Sequence, residues 1–160
     1  MLLALAAVTL TLVVAYRLIH GSATLGALTA LSVVLVLGFV VAGMAALDVP
    51  LNFLTALLVS LVIGVGIDYA IHLSDRFADE LRDHTPAVAL ETAVRGTGGA
   101  LLGSMLTSVA AFVGLLLHPG QDFQAFATLV VLALLGAFTA AVVVLPAMLT
   151  LWSRATGRTV

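Results

Sequence analysis

The sequence predicts an all-α, polytopic transmembrane bundle of about five spanning helices, and three observations carry that prediction. Hydrophobic residues make up 62% of the chain and charged residues only 9%, whereas about a quarter of residues are charged in soluble domains. The mean hydropathy is +1.27. The apolar residues also fall in runs close to the ~20 residues that a membrane-spanning helix requires, broken by short clusters of charge, Gly and Pro.

Taken in order, the runs place spans at about 2–17, 24–46, 51–74, 97–117 and 123–152. The first, MLLALAAVTLTLVVAY, has no charged leader and is followed by another apolar segment. It therefore reads as a span, with a signal peptide as the alternative. RLIHGS ends it, ALDVP separates the second span from the third, and HPGQD separates the fourth from the fifth. Connections this short make neighbouring helices antiparallel. Residues 75–96 form the one long polar segment, holding five of the eight acidic residues. Within it Thr85 and Pro86 read as the N-cap and first position of a short interfacial helix, on which Glu91 and Arg95 form an i,i+4 pair.

Arg17, Arg76, Arg82, Arg95, Arg154 and Arg158 are the basic residues, and this span assignment puts all six on one side of the membrane. The positive-inside rule makes that side cytoplasmic, with the N-terminus outside and the C-terminus inside the cell membrane. A formal charge of −2 without a basic patch argues against nucleic acid as a partner. The absence of cysteine removes disulfides, thiol catalysis and cysteine-ligated metals. No Ser, His and acid set converges within reach of one span, which argues against a membrane-embedded hydrolase.

Within the spans, away from their ends, Asp68 is the only carboxylate. A mid-span carboxylate costs ~2.5–3.5 kcal/mol on insertion scales, so such a group faces a bundle interior or a wet cavity. It stands six residues before Ser74, roughly 9 Å inside the membrane end of its helix, too deep for so short a side chain to reach the headgroups. Ser60, Gly64, Asp68 and His72 recur every four residues and share one gently turning stripe. Small residues on a stripe let another helix approach, and its polar groups then find partners instead of lipid. Burial disfavours the charged carboxylate and a protonated His72 one turn away favours it. A group between those influences can load and release a proton near neutral pH. The alternatives are that Asp68 holds helices together by hydrogen bonding, that Tyr69 is a packing or interfacial aromatic, and that His72 is an interfacial histidine. Gly64 and Gly66 do not make a phosphate loop, since the third glycine and the preceding strand are missing; close packing or a local bend is their ordinary role.

The fourth span offers a matching surface. Gly99 and Gly103 form a GxxxG pair, and Ser104, Thr107 and Ser108 follow, with hydroxyls that could reach the Asp68 carboxyl or bond their own helix. In the fifth span Gly136 and Ala140 give another small-residue face, Pro146 predicts a kink, and Trp152 beside Arg154 reads as an interfacial anchor.

GVGIDYAIHL, the TGGALLGSMLTSVAAFVGLLL helix, the HPGQDF turn and the AAVVVLPAMLTLW ending together resemble the resistance-nodulation-division (RND) permeases. The nearest branch is the one that includes the mycobacterial membrane protein large (MMPL) transporters, the hopanoid exporters and the sterol-sensing-domain proteins. The resemblance implies a proton-relay role for Asp68 and Tyr69, and His72 matches a histidine often found in the same string. Thr107, Ser108 and Phe112 match the pattern of the following helix, with Ala111 where the family usually has glycine. By that register the five spans correspond to helices two to six of one transmembrane half, without the first helix, the porter domain or the second half. The expectation is a fragment or split half of a proton-driven exporter of hydrophobic or lipid-like substrates. Protons would be the coupling ion, no cofactor is expected, and the partners would be membrane lipids and a second half or second copy. A non-transporting lipid- or sterol-binding or assembly module is the alternative.

Overall fold

The computed structural model describes residues 2–50 and 52–155. It is helical throughout, with no strand among the described residues. The helices are α1 (Leu2–Ile19), α2 (Ala23–Ala46), α3 (Phe53–Glu80), α4 (Pro86–Leu115), α5 (Gln121–Thr139) and α6 (Leu145–Ala155), the last two joined by a π-helical turn at Ala140–Val144. Among the described residues, four units are long and apolar enough to cross a membrane: α2, α3, α4 and the continuous α5–π–α6 rod. The first helix has 18 residues. Leu51, the expected start of the third span, and Arg158 lie outside the described residues.

Local chemistry sets the turns. Between α1 and α2 the chain passes through Gly21 at φ 69°, a conformation that costs glycine little, and Arg17 Nη1 donates to the Gly21 carbonyl at 3.0 Å. Between α2 and α3 the left-handed residue is Asp48, at φ 49°. Asn52 then opens α3 with a reciprocal cap: its side chain accepts from the Thr55 amide at 2.9 Å, and Thr55 Oγ1 accepts from the Asn52 amide at 2.7 Å.

One expectation needs correction here. The polar segment 75–96 is not a loop carrying a separate interfacial helix. Instead, α3 runs on to Glu80, and the stretch that begins at Thr85 and Pro86 is the start of the 30-residue α4. Thr85 and Pro86 do hold the N-cap and first position, without a side-chain capping bond. The charges in this segment end the apolar run but not the helix, because ion pairs such as Arg76–Glu80 and Arg95–Glu91 lie along the helix surface. At Pro146, where a kink is expected, the fifth span widens into a π turn just before the proline. The Leu145 amide reaches back to the Ala140 carbonyl, the five-residue spacing of a π turn.

The core has two tiers. Toward the 47–52 and 116–120 turns, Val36, Val40, Leu58, Val62, Tyr69, Met105 and Leu129 pack together. Toward the other end, Leu12, Tyr16, Val33, Leu73, Phe77, Ala93, Leu145 and Leu149 do so. The inner helices are α2, α3 and α5, with α1 laid against α2 and α4 against α3 and α5. At that second end, His20 after α1, Arg82 after α3 and Trp152 of α6 line one cavity. The ends carrying Arg17, Arg76, Arg82 and Arg154 therefore meet.

Candidate functional site

The conformation of α3 separates adjacent residues of the GVGIDYAIHL segment. Tyr69, Ala70 and Leu73 point into the bundle, with the Tyr69 ring only 5% exposed. Ser60, Gly64, Asp68 and His72 lie on the opposite, exposed side, so the expected stripe exists and faces away from this chain's own core. Of the two surroundings expected for Asp68, a bundle interior or a wet cavity, it is not buried among this chain's own helices but lines a groove. The reason is helical phase, since Tyr69 and Leu73 claim the inward direction.

Asp68, His72 and Arg76 form one wall of a groove of about 580 Å³ between α3 and α4; Gly96, Ala100 and Ser104 form the other. Tyr69 and Leu101 line it as well. The α4 wall is low because its residues are small, which leaves the carboxyl accessible from the side. None of the ion pairs among the described residues engages Asp68 or His72. Arg76 is held by Glu80, with Nη2–Oε1 at 2.6 Å, and His84 Nδ1 lies 3.3 Å from the other oxygen of the same carboxylate.

Of the supporting hydroxyls, only Ser104 reaches this groove. Thr107 donates to the Ser104 carbonyl at 2.9 Å and so bonds its own helix. Ser108 is half-buried and does not line the groove. The glycines divide in the same way. A Cβ at Gly64, Gly99 or Gly103 would meet nothing within 4 Å, so these three do not pack helices inside the chain and form its open face. Gly66 is buried, 3.8 Å from Val33 Cγ1 by the same measure.

A second polar group, not anticipated from the sequence, ties α1, α2 and α3 together farther along α3, toward its C-terminal end. His20 Nε2 lies 3.3 Å from Asp75 Oδ1. Thr29 and Ser74 share a buried hydrogen bond of 2.7 Å, and the Tyr16 hydroxyl donates to the Ile71 carbonyl at 3.3 Å. Tyr16 and His20 also stack at 5.2 Å. The signal for it in the sequence is the α3 periodicity continued beyond Ser74, where the charges end the apolar run but not the helix. No set of His, Cys, Asp or Glu among the described residues is arranged to hold a metal ion.

Two curated relatives are similar to part of the chain. A membrane protein of Methanocaldococcus jannaschii is 46% identical over 77 residues, 48% of this chain and 20% of its own length. A membrane protein of Streptomyces coelicolor is 33% identical over 75 residues, 47% of this chain and 9% of its own length. Each match thus spans only a small part of a much longer protein. No solved structure matches the chain. The profile of the MMPL family matches residues 1–159, nearly the whole sequence. With its apolar helices long enough to span a bilayer and that match, this multi-pass membrane protein belongs to the MMPL family.

Proposed function

We propose that the chain is the membrane module of a proton-motive-force-driven, RND-type exporter of hydrophobic or lipid-like substrates, with Asp68 as the proton carrier and Tyr69 and His72 beside it. The observation that carries the reading is an intramembrane carboxylate on an open face. Asp68 sits at a depth where an ionised group is costly, beside a groove and without an ion-pair partner among the described residues. A carboxyl placed so alternates between two costs. Ionised, it needs water or a partner; protonated, it is compatible with a dry, closed face. Gain and loss of a proton therefore bias how tightly the α3–α4 face can close, which is the coupling that a proton-driven transporter requires.

The exposed small residues Gly64, Gly99, Gly103 and Ser104 fit a surface completed by another helix bundle, a second transmembrane half or a second copy. Membrane lipids surround the remainder. The coupling ion is the proton, with no cofactor and no nucleic-acid partner. Arginines gathered at one end orient the chain with that end in the cytoplasm.

The test is proton flux into liposomes holding the protein, driven by an imposed pH gradient. Asp68→Asn is expected to stop the flux while inserting in equal amount; flux that survives the substitution refutes the carrier role. One observation favours the lipid-binding alternative, an apolar groove of about 320 Å³ between α2 and α5 lined by Leu35, Phe39, Leu132 and Gly136. Under that alternative, labelled lipid binding would be lost on filling the groove and unaffected by Asp68→Asn.

A further inference from the structure

We infer that Asp75, positioned by His20, receives the proton that Asp68 releases by way of His72 and delivers it to water at the arginine-bearing end. This rests on the reading of Asp68 as a proton carrier and adds its exit route.

Seven residues of α-helix are nearly two turns, so Asp75 returns to within ~20° of the direction of Asp68. The two are separated by ~10 Å along the axis, too far for direct transfer. His72 bridges them, four residues after Asp68 and three before Asp75, and side chains at both spacings are neighbours with Cβ atoms about 5–6 Å apart. The groove beside Asp68 and His72, about 580 Å³, far exceeds the roughly 10–15 Å³ that one water needs. Neither Asp68–His72 nor His72–Asp75 is in ion-pair contact, so each hop runs through a water, the first of them in the groove.

The surrounding charges leave Asp75 as the acceptor. On α3, Arg76 is bound to Glu80, whose carboxylate is also engaged by His84, and Asp79 lies 3.7 Å from Arg82. An arginine does not give up its proton in a protein. From α1, Arg17 is turned to the Gly21 carbonyl, and the Tyr16 hydroxyl, which donates to the Ile71 carbonyl, also lies against the Asp75 carboxylate. From α2, Thr29 is bonded to Ser74. The Asp75 side chain is 46% exposed and that of His20 only 8%, so the carboxylate meets water while the imidazole is held inside. His20 is a positioning residue: its Nε2 lies 3.3 Å from Asp75 Oδ1, and its Nδ1 has no partner among the described residues.

The transfer balances in protons. The O–H bond of Asp68 breaks as a ring nitrogen of His72 takes the proton. The other ring nitrogen gives its proton to an Asp75 carboxylate oxygen, and Asp75 releases it to water. His72 is left neutral in the opposite tautomer, and a ring flip resets it.

The experiment compares proton flux in liposomes of known orientation for the full chain and its variants. Asp75→Asn is expected to slow flux roughly tenfold or more. A membrane-impermeant buffer added on the arginine-bearing side should restore it, and the same buffer on the other side should not. His20→Gln, which keeps a donor, should retain more flux than His20→Ala, whose pH profile should shift. If Asp68→Asn stops flux while Asp75→Asn matches the wild type, the exit route is wrong and the carrier reading stands. Slowing without rescue makes Asp75 structural and also overturns the route. A wild-type chain that passes no protons, or an Asp68→Asn chain that passes them normally, overturns both.

Discussion

Gly26→Ala tests the close approach of α1 to α2. A Cβ at Gly26 would lie 2.6 Å from the Leu12 carbonyl oxygen and 2.8 Å from Val13 Cα, both backbone atoms of α1. Ordinary contact begins at 3.4 Å, so α1 and α2 must part by about 0.8 Å. Backbone cannot rotate away as a side chain can, and the whole helix has to shift. Overpacking of this kind costs ~1–3 kcal/mol, against a gain of roughly 0.5–1 kcal/mol from replacing a mid-helix glycine. Gly64→Ala carries the same helix gain with nothing within 4 Å of the new methyl, so it isolates the clash. The expected result is that Gly26→Ala is less stable than Gly64→Ala by ~1–3 kcal/mol in reversible detergent unfolding followed by circular dichroism. Because α1 carries Tyr16 and leads into His20, the same shift should loosen the His20–Asp75 contact. Equal stability of the two variants would refute the close α1–α2 approach.

Other expectations follow from the same geometry. Thr29→Val removes the buried Thr29–Ser74 bond and should cost about 0.6–1.7 kcal/mol, read in the same unfolding assay. Gly99→Leu and Gly103→Leu place bulk on the open α4 face, where a Cβ meets nothing within the chain. They should leave the fold intact and weaken association with a second copy or half, measured by cross-linking in membranes. A wild type that is strictly monomeric in mild detergent would count against self-association through this face.

Much of the architecture was legible in the sequence because spans are set by hydropathy. In lipid every backbone donor and acceptor must be satisfied within its own segment, so a long apolar run is committed to helix. What misled was treating charge as a helix terminator. Asp75, Asp79 and Glu80 end the apolar run, yet a helix emerging into water keeps its hydrogen bonds and gains ion pairs such as Arg76–Glu80. That shortened α3 in the sequence reading and hid Asp75. The candidate site was legible as a stripe, and its direction was not. Asp68 and Tyr69 are adjacent in sequence and both line the α3–α4 groove, but the first is exposed on the open side while the second is packed in the core.

The sequence by itself determined the all-α polytopic bundle, the Ser60–Gly64–Asp68–His72 periodicity and the mid-span carboxylate. Only the tertiary structure decided which helix faces pair. It placed Gly26 at the tight α1–α2 contact and left Gly64, Gly99 and Gly103 open. It bonded Thr107 to its own helix and brought His20 to Asp75 across 55 residues of chain. The physical reason is that lipid tails are as apolar as leucine, so hydropathy separates membrane from water but does not distinguish a helix face turned to lipid from one turned to another helix. That choice is made by shape and by a few polar contacts, which exist only once the helices are side by side.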